Sequence, residues 1–333
     1  MRMNERNVWC EECTVQDAVG SGRKKGGERE TLSFLACVDS VLEQLRLAGK
    51  FGTERNLRSA RNSLERFLDG RPLMLDGVTV DVINRYERWL HSRGMTRNSS
   101  SFYMRQLRMV YYRWTKKWGV RQGTPFREVY LGIDRTRKRA VDASLIREMM
   151  QVDFTCDRSL AWARDLFVLS FCLRGMAFVD MAFLTKKNIH RDILRYKRRK
   201  TAAVLEVYME PYVRLMLKRY EPYVRGTPYL LPILTEEHPQ KAYLQYMNRL
   251  SYYNKLLKRL SVYLHLEIPL TSYVARHTWA TTAHHMNIAL PVISAAMGHS
   301  SEVTTQIYLA SIEASAIDKA NRQLLEALAL PVF

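Results

Sequence analysis

Ala275-Arg276-His277-Thr278-Trp279-Ala280-Thr281, then Met297-Gly298-His299-Ser300-Ser301, then Thr304-Thr305-Gln306-Ile307-Tyr308: these three runs decide how the chain is read. An arginine, a histidine and a tyrosine in that order suggest phosphoryl transfer. A guanidinium grips phosphate oxygens, an imidazole handles a proton and a hydroxyl attacks. Ser300 or Ser301 is placed to cap a short helix starting just after His299, which puts Tyr308 about two turns in.

Composition points to an anionic partner. The 333 residues hold 52 Lys plus Arg against 33 Asp plus Glu, a formal charge of +19 with a pI near 9.8. Length and a hydrophobic content of 47% suffice for two domains with their own cores and exclude wholesale disorder. Membrane surfaces also attract cations, but no apolar run approaches the ~20 residues a spanning helix needs. Nucleic acid is therefore the expected partner, with no membrane association. The first thirty residues lack the apolar stretch of a secretory signal, so a cytoplasmic location is expected. Five cysteines, Cys10, Cys13, Cys37, Cys156 and Cys172, are odd in number and sparse, and read as free thiols. Cys10 and Cys13 form a lone C-x-x-C with no second ligand pair of finger-like spacing, so no metal is expected.

Residues 1–30, with Gly20-Ser21-Gly22-Arg23-Lys24-Lys25-Gly26-Gly27, read as a flexible basic tail. From Thr31 a helical period sets in through Leu35, Val38, Leu42 and Leu45, and Gly49 is placed to end that helix. Further helices are predicted from Thr53, Thr79 and Asn98, so residues 31–121 read as a small helical domain. Its polar faces carry Arg97 and Arg105 among other cations placed to meet DNA phosphates, although any one such charge commonly just keeps a helix soluble. Residues 122–140, with Pro125, Gly132, Arg135 and Lys138, read as a basic linker able to follow a DNA backbone. Residues 141–333 are again globular, with a strongly apolar helix over Leu160–Leu173 and extended stretches at Ile193–Thr201 and Val204–Met209. The stretches flank Lys197-Arg198-Arg199-Lys200, which predicts a hairpin with basic residues at its turn.

The three opening runs resemble the carboxy-terminal boxes of the tyrosine recombinase (phage integrase) family, whose pattern is Arg-His-Thr-x-Ala-Thr, Gly-His-Ser-Ser and Thr-Thr-x-x-Tyr. The resemblance covers about residues 31–333, with its strong motifs between Leu173 and Tyr308. It implies a mainly α fold with a small β-hairpin or sheet: a two-domain, C-shaped clamp on DNA, with a helical SAM-like core-binding domain and an α+β catalytic domain. It also implies a catalytic set of Arg174, Lys200, Arg276, His299 and Tyr308.

In that set Tyr308 attacks a phosphate, making a 3′-phosphotyrosyl link and freeing a 5′ hydroxyl. The link retains the energy of the broken bond, so no cofactor is implied. A phenol of pKa about 10 needs help to attack an anion, and two arginines on the non-bridging oxygens provide it. Lys200 matches the family's hairpin lysine, which protonates the leaving oxygen, with Lys197, Arg198 and Arg199 as neighbouring competitors for that role. His299 bonds the phosphate or manages the phenol proton. Asp180 stands for the acidic residue of the first box, but six positions after Arg174 where the family has three. Tyr273 replaces the family's usual histidine three residues before Arg276 and is expected to support the phosphate. Arg198 is expected to contact DNA beside Lys200. A helix over Ile312–Leu330 is expected to pack on a neighbouring protomer or on its own domain. The family implies a homotetramer on paired recombination sites, serving a mobile element or DNA inversion. The rival readings are a decayed, non-catalytic DNA-binding accessory protein and a type IB topoisomerase.

Overall fold

The helical period between residues 31 and 120 becomes four helices: α1 (Phe34–Leu47), α2 (Phe51–Leu68), α3 (Val80–Ser92) and α4 (Arg97–Trp118). The computed structural model describes residues 32–119, 123–134, 140–154, 156–299, 301–302 and 305–306. The basic tail with Cys10 and Cys13, Arg135, Lys138, Tyr308 and the helix expected after Ile312 lie outside the described residues. The chain divides into two units, Met1–Gln44 with Glu54–Gly132 and Leu45–Thr53 with Ile133–Phe333.

In the first unit, local chemistry sets the helix ends. Thr79 caps α3, its hydroxyl accepting from the Val82 amide at 3.3 Å. Gly119 ends α4 in the left-handed region, at φ +62°, where a side chain would be strained. Two starts differ from expectation: α2 begins at Phe51 rather than Thr53, and α4 at Arg97 with Thr96 before it rather than at Asn98. The core is built from Val38, Leu42, Leu57, Leu64, Ile83, Tyr86, Leu90 and Leu107, all buried. Each such side chain contributes roughly 1.5–3 kcal/mol.

The front of the predicted linker is part of this core. Phe126 is 2% exposed and its ring lies 6.1 Å from that of Tyr111. Ser101 donates to the Gly132 carbonyl at 2.6 Å, and Asn84 donates to Glu128 at 2.7 Å. Pro125 and Gly132 give this stretch the composition of a linker, whereas Phe126 and Val129 are the apolar groups that bury.

The second unit contains α5 (Ala143–Gln151), α6 (Arg158–Cys172), α7 (Phe178–Ala182), β1 (Ile189–His190), β2 (Ile193–Lys197), β3 (Val204–Tyr208), α8 (Pro211–Tyr220), α9 (Pro239–Tyr263), α10 (Val274–His285) and α11 (Leu290–Ala296). The strands form an antiparallel sheet in the order β1-β2-β3, with Ile193 opposite Tyr208 and Lys197 opposite Val204. Alternation along β2 buries Leu194 and Tyr196 and exposes Ile193, Arg195 and Lys197. The strand stops at Lys197, short of the expected Thr201, because the chain folds back: the Arg198 amide donates to Ala203 and the Ala202 amide to Arg198, both at 2.8 Å.

Helix α6 is the hub and packs against α5, α8, α9 and α10. Asp157 caps it, accepting from the Ser159 and Leu160 amides at 3.0 Å. Its apolar length hides one ionic knot. Buried Arg164 donates to Asp165 at 2.5 Å and to the Met149 carbonyl at 3.0 Å, while Tyr220 donates to Asp165 at 2.8 Å. The knot ties α5, α6 and α8 together, and every buried charge in it has a partner.

Candidate active site

The site begins where α6 ends. After Leu173, Arg174 (φ +59°) and Gly175 (φ +68°) both turn left-handed, and the Met176 amide returns to the Ser170 carbonyl at 3.1 Å. A non-glycine residue in that region costs about 1–2 kcal/mol, and such strain concentrates at functional positions. The turn sets Arg174 at the negative end of the α6 dipole, where a cation is favoured. Its guanidinium donates to the Glu206 carbonyl on β3 at 3.2 Å.

Arg276, in the first turn of α10, is 2% exposed. Its Nη1 donates to the Gly175 carbonyl at 2.8 Å, so the residue beside Arg174 is bound to Arg276 directly. Its Nη2 donates to the Met297 carbonyl at 2.6 Å and lies 3.1 Å from His299 Nε2. The other ring nitrogen, Nδ1, lies 2.7 Å from the hydroxyl of Thr305, which is fully buried. Burial first, then the charges of Arg276, Arg198 and Lys200, push the His299 pKa down to about 4. The imidazole is therefore neutral near neutral pH.

Lys200 sits exposed on the β2–β3 turn. Desolvation by the surrounding protein, then the Arg198 and Arg276 charges, lower its pKa below the usual lysine range. A lowered ammonium pKa makes it a better proton donor. The turn is fastened from beneath. The Arg199 amide donates to Asp180 at 2.8 Å, and Thr201 donates to the Gly298 carbonyl at 3.3 Å. The expected DNA contact through Arg198 is corrected here: the side chain is 5% exposed, donates to the Gly298 carbonyl at 2.6 Å and lies 4.0 Å from the Asp180 carboxylate. It points inward because the Gly298 carbonyl accepts from it and the buried Asp180 carboxylate lies within ion-pair distance. Asp180 is itself buried beneath the turn; burial raises its pKa, opposed by the Arg199 amide and the Arg198 and Arg276 charges.

Tyr273, directly before α10, is 45% exposed, with its ring 6.2 Å from that of His277. In the first unit, Arg97 is exposed and its guanidinium lies 3.8 Å over the Tyr130 ring. Arg105 is half-buried on α4. The sequence reading assigned nothing to Thr305, Gly175 or Gly298. Thr305 stood inside the quoted box beside the better-known tyrosine position, and its adjacency to His299 depends on the fold.

The depressed His299 pKa has a testable effect on stability. The folded state resists protonation that the unfolded chain accepts from about pH 6.5 downward. The unfolded state thus binds more protons in that window, and stability falls as pH drops from about 6.5 to about 4. In urea unfolding across this range, His299→Gln is expected to show a shallower acid-side decline than the wild type. Parallel curves would contradict a shielded imidazole.

Residues 33–118 match the family model for the phage integrase SAM-like domain, spanning α1 to α4. Among solved structures, the chain is similar to the Tn1549 transposon integrase in complex with transposon right end DNA, at 15% identity and a TM-score of 0.59 over 90% of this chain and 100% of that one. It is similar to a lambda integrase dimer bound to a core site, at 14% identity and a TM-score of 0.58 over 83% and 95%. It is also similar to a lambda integrase tetramer bound to a Holliday junction, at 13% identity and a TM-score of 0.58 over 84% and 78%. No curated protein matches the sequence. The fold is that of the DNA integrases of the tyrosine recombinase type. Residues 33–118 thus carry a phage integrase SAM-like domain, and the chain shares the fold of these integrases.

Proposed function

We propose that the chain is a site-specific DNA recombinase that cleaves and rejoins double-stranded DNA through a 3′-phosphotyrosyl link to Tyr308. The observation that carries this reading is the Arg276–His299 contact at 3.1 Å, tied through Gly175 to the Arg174 turn and through Gly298 to the Lys200 loop. Two guanidinium groups, a neutral imidazole and an acidified ammonium meet the needs of phosphoryl transfer.

In the proposed reaction Arg174 and Arg276 neutralise the non-bridging oxygens. The Tyr308 oxygen forms a bond to phosphorus, its proton passes to His299, the bond to the 5′ oxygen breaks, and Lys200 protonates that oxygen. Attack by a partner strand's 5′ hydroxyl reverses the sequence and reseals the DNA. A homotetramer on paired sites, in the cytoplasm and in the service of a mobile element or DNA inversion, belongs to the same proposal. So does the division of labour, with the first unit gripping DNA and the second cutting it.

The test is covalent capture. Wild-type protein incubated with nicked duplexes from the sequences flanking its own gene is expected to give a denaturation-resistant adduct, absent in Tyr308→Phe. Tight binding by the wild type with no adduct on these duplexes would instead favour an accessory DNA-binding protein.

A further inference from the structure

We infer that Thr305 is a positioning residue: its hydroxyl holds the His299 proton on Nδ1 and so keeps the Nε2 lone pair turned to the Arg276 side of the site. The inference rests on the reading of this site as a cleavage centre and adds to it a residue with no assigned part.

A guanidinium has N–H groups and no lone pair to offer, so at 3.1 Å from Arg276 Nη2 the His299 Nε2 must accept. A proton on Nε2 would set donor against donor. A neutral imidazole carries one proton, which therefore resides on Nδ1, and the atom 2.7 Å from Nδ1 is the Thr305 hydroxyl oxygen. Thr305 is fully buried, so no solvent competes for that bond. The two contacts together fix both the tautomer and the ring's orientation.

The tautomer decides what the imidazole can do. With its proton on Nε2, His299 could only donate toward a phosphate oxygen. With the proton on Nδ1, Nε2 is a base able to take the phenol proton once the Arg276 N–H turns to the phosphate, and the resulting imidazolium keeps its Nδ1–H bond to Thr305. Removing the hydroxyl takes away the acceptor facing Nδ1–H and frees the ring to exchange tautomers.

The experiment compares wild type, Thr305→Val and Thr305→Ser as full-length protein. Nitrogen NMR of histidine-labelled protein reads the His299 tautomer, with the signal identified by its loss in His299→Gln. Single-turnover cleavage of nicked duplex and equilibrium duplex binding are measured alongside. The expected result is a wild-type His299 protonated on Nδ1. Thr305→Val should lose that state and cleave about 10–100-fold more slowly, the scale on which groups that orient a histidine act, with duplex affinity unchanged. Thr305→Ser should restore both. A wild-type signal showing the proton on Nε2 overturns the inference, as does wild-type cleavage by Thr305→Val. A wild type that forms no adduct defeats the recombinase reading, while the NMR signal still decides whether Thr305 holds the ring.

Discussion

Arg276→Lys is expected to abolish measurable strand cleavage and to unfold at lower denaturant, both from the loss of one fork. The native guanidinium reaches the Gly175 carbonyl, the Met297 carbonyl and His299 Nε2 from two nitrogens. A single ammonium cannot span these positions. Each buried carbonyl left without a donor costs about 1–3 kcal/mol, so roughly 2–4 kcal/mol of stability should go. Loss of a fixed donor to the developing charge typically slows chemistry by about 10²–10³-fold. Urea unfolding and adduct formation from the same preparations check both halves. An unchanged unfolding midpoint would show that the fork does not hold these segments together.

The second large effect is a contrast between two glycines, both left-handed. A β-carbon on Gly175, at φ +68°, would lie 2.8 Å from the Arg276 α-carbon, and backbone in a packed helix cannot swing aside. On Gly298, at φ +63°, it would meet the Leu205 Cδ1 at 2.9 Å and the Arg198 Cδ at 3.3 Å, both on side chains that can adjust. Left-handed strain of about 1–2 kcal/mol is common to both. Overpacking against backbone adds about 1–3 kcal/mol at Gly175 alone. Gly175→Ala should therefore be the more destabilised in thermal or urea unfolding, by roughly 1–3 kcal/mol relative to Gly298→Ala, and should lose cleavage because Arg276 moves with its helix. Equal losses would mean that the α6 turn yields more readily than its contacts imply.

What the sequence made legible was local. The helical period located α1 and α3, the two extended stretches flanking a basic run located the hairpin, and the boxes pointed to Arg174, Arg276 and His299. Non-local contacts were not legible. Lys197, Arg198, Arg199 and Lys200 look alike as a run, yet they diverge: Lys197 is exposed on β2, Arg198 is buried on Gly298, Arg199 lies over the Phe183 ring at 3.8 Å, and Lys200 is left on the turn. Gly298 is distant in sequence, so no inspection of the run separates them. Phe126 was hidden by the proline and glycine around it. Thr305 was hidden because its partner is chosen by the fold.

The Gly298 carbonyl receives both Arg198 and Thr201 and immediately precedes His299. One oxygen atom therefore indexes the turn carrying Lys200 to the segment carrying the imidazole. The smallest piece that can be transplanted between proteins of this fold is then not the hairpin alone. It is the hairpin together with residues 297–299, and a chimaera that exchanges one without the other inherits Lys200 and His299 set to different rulers.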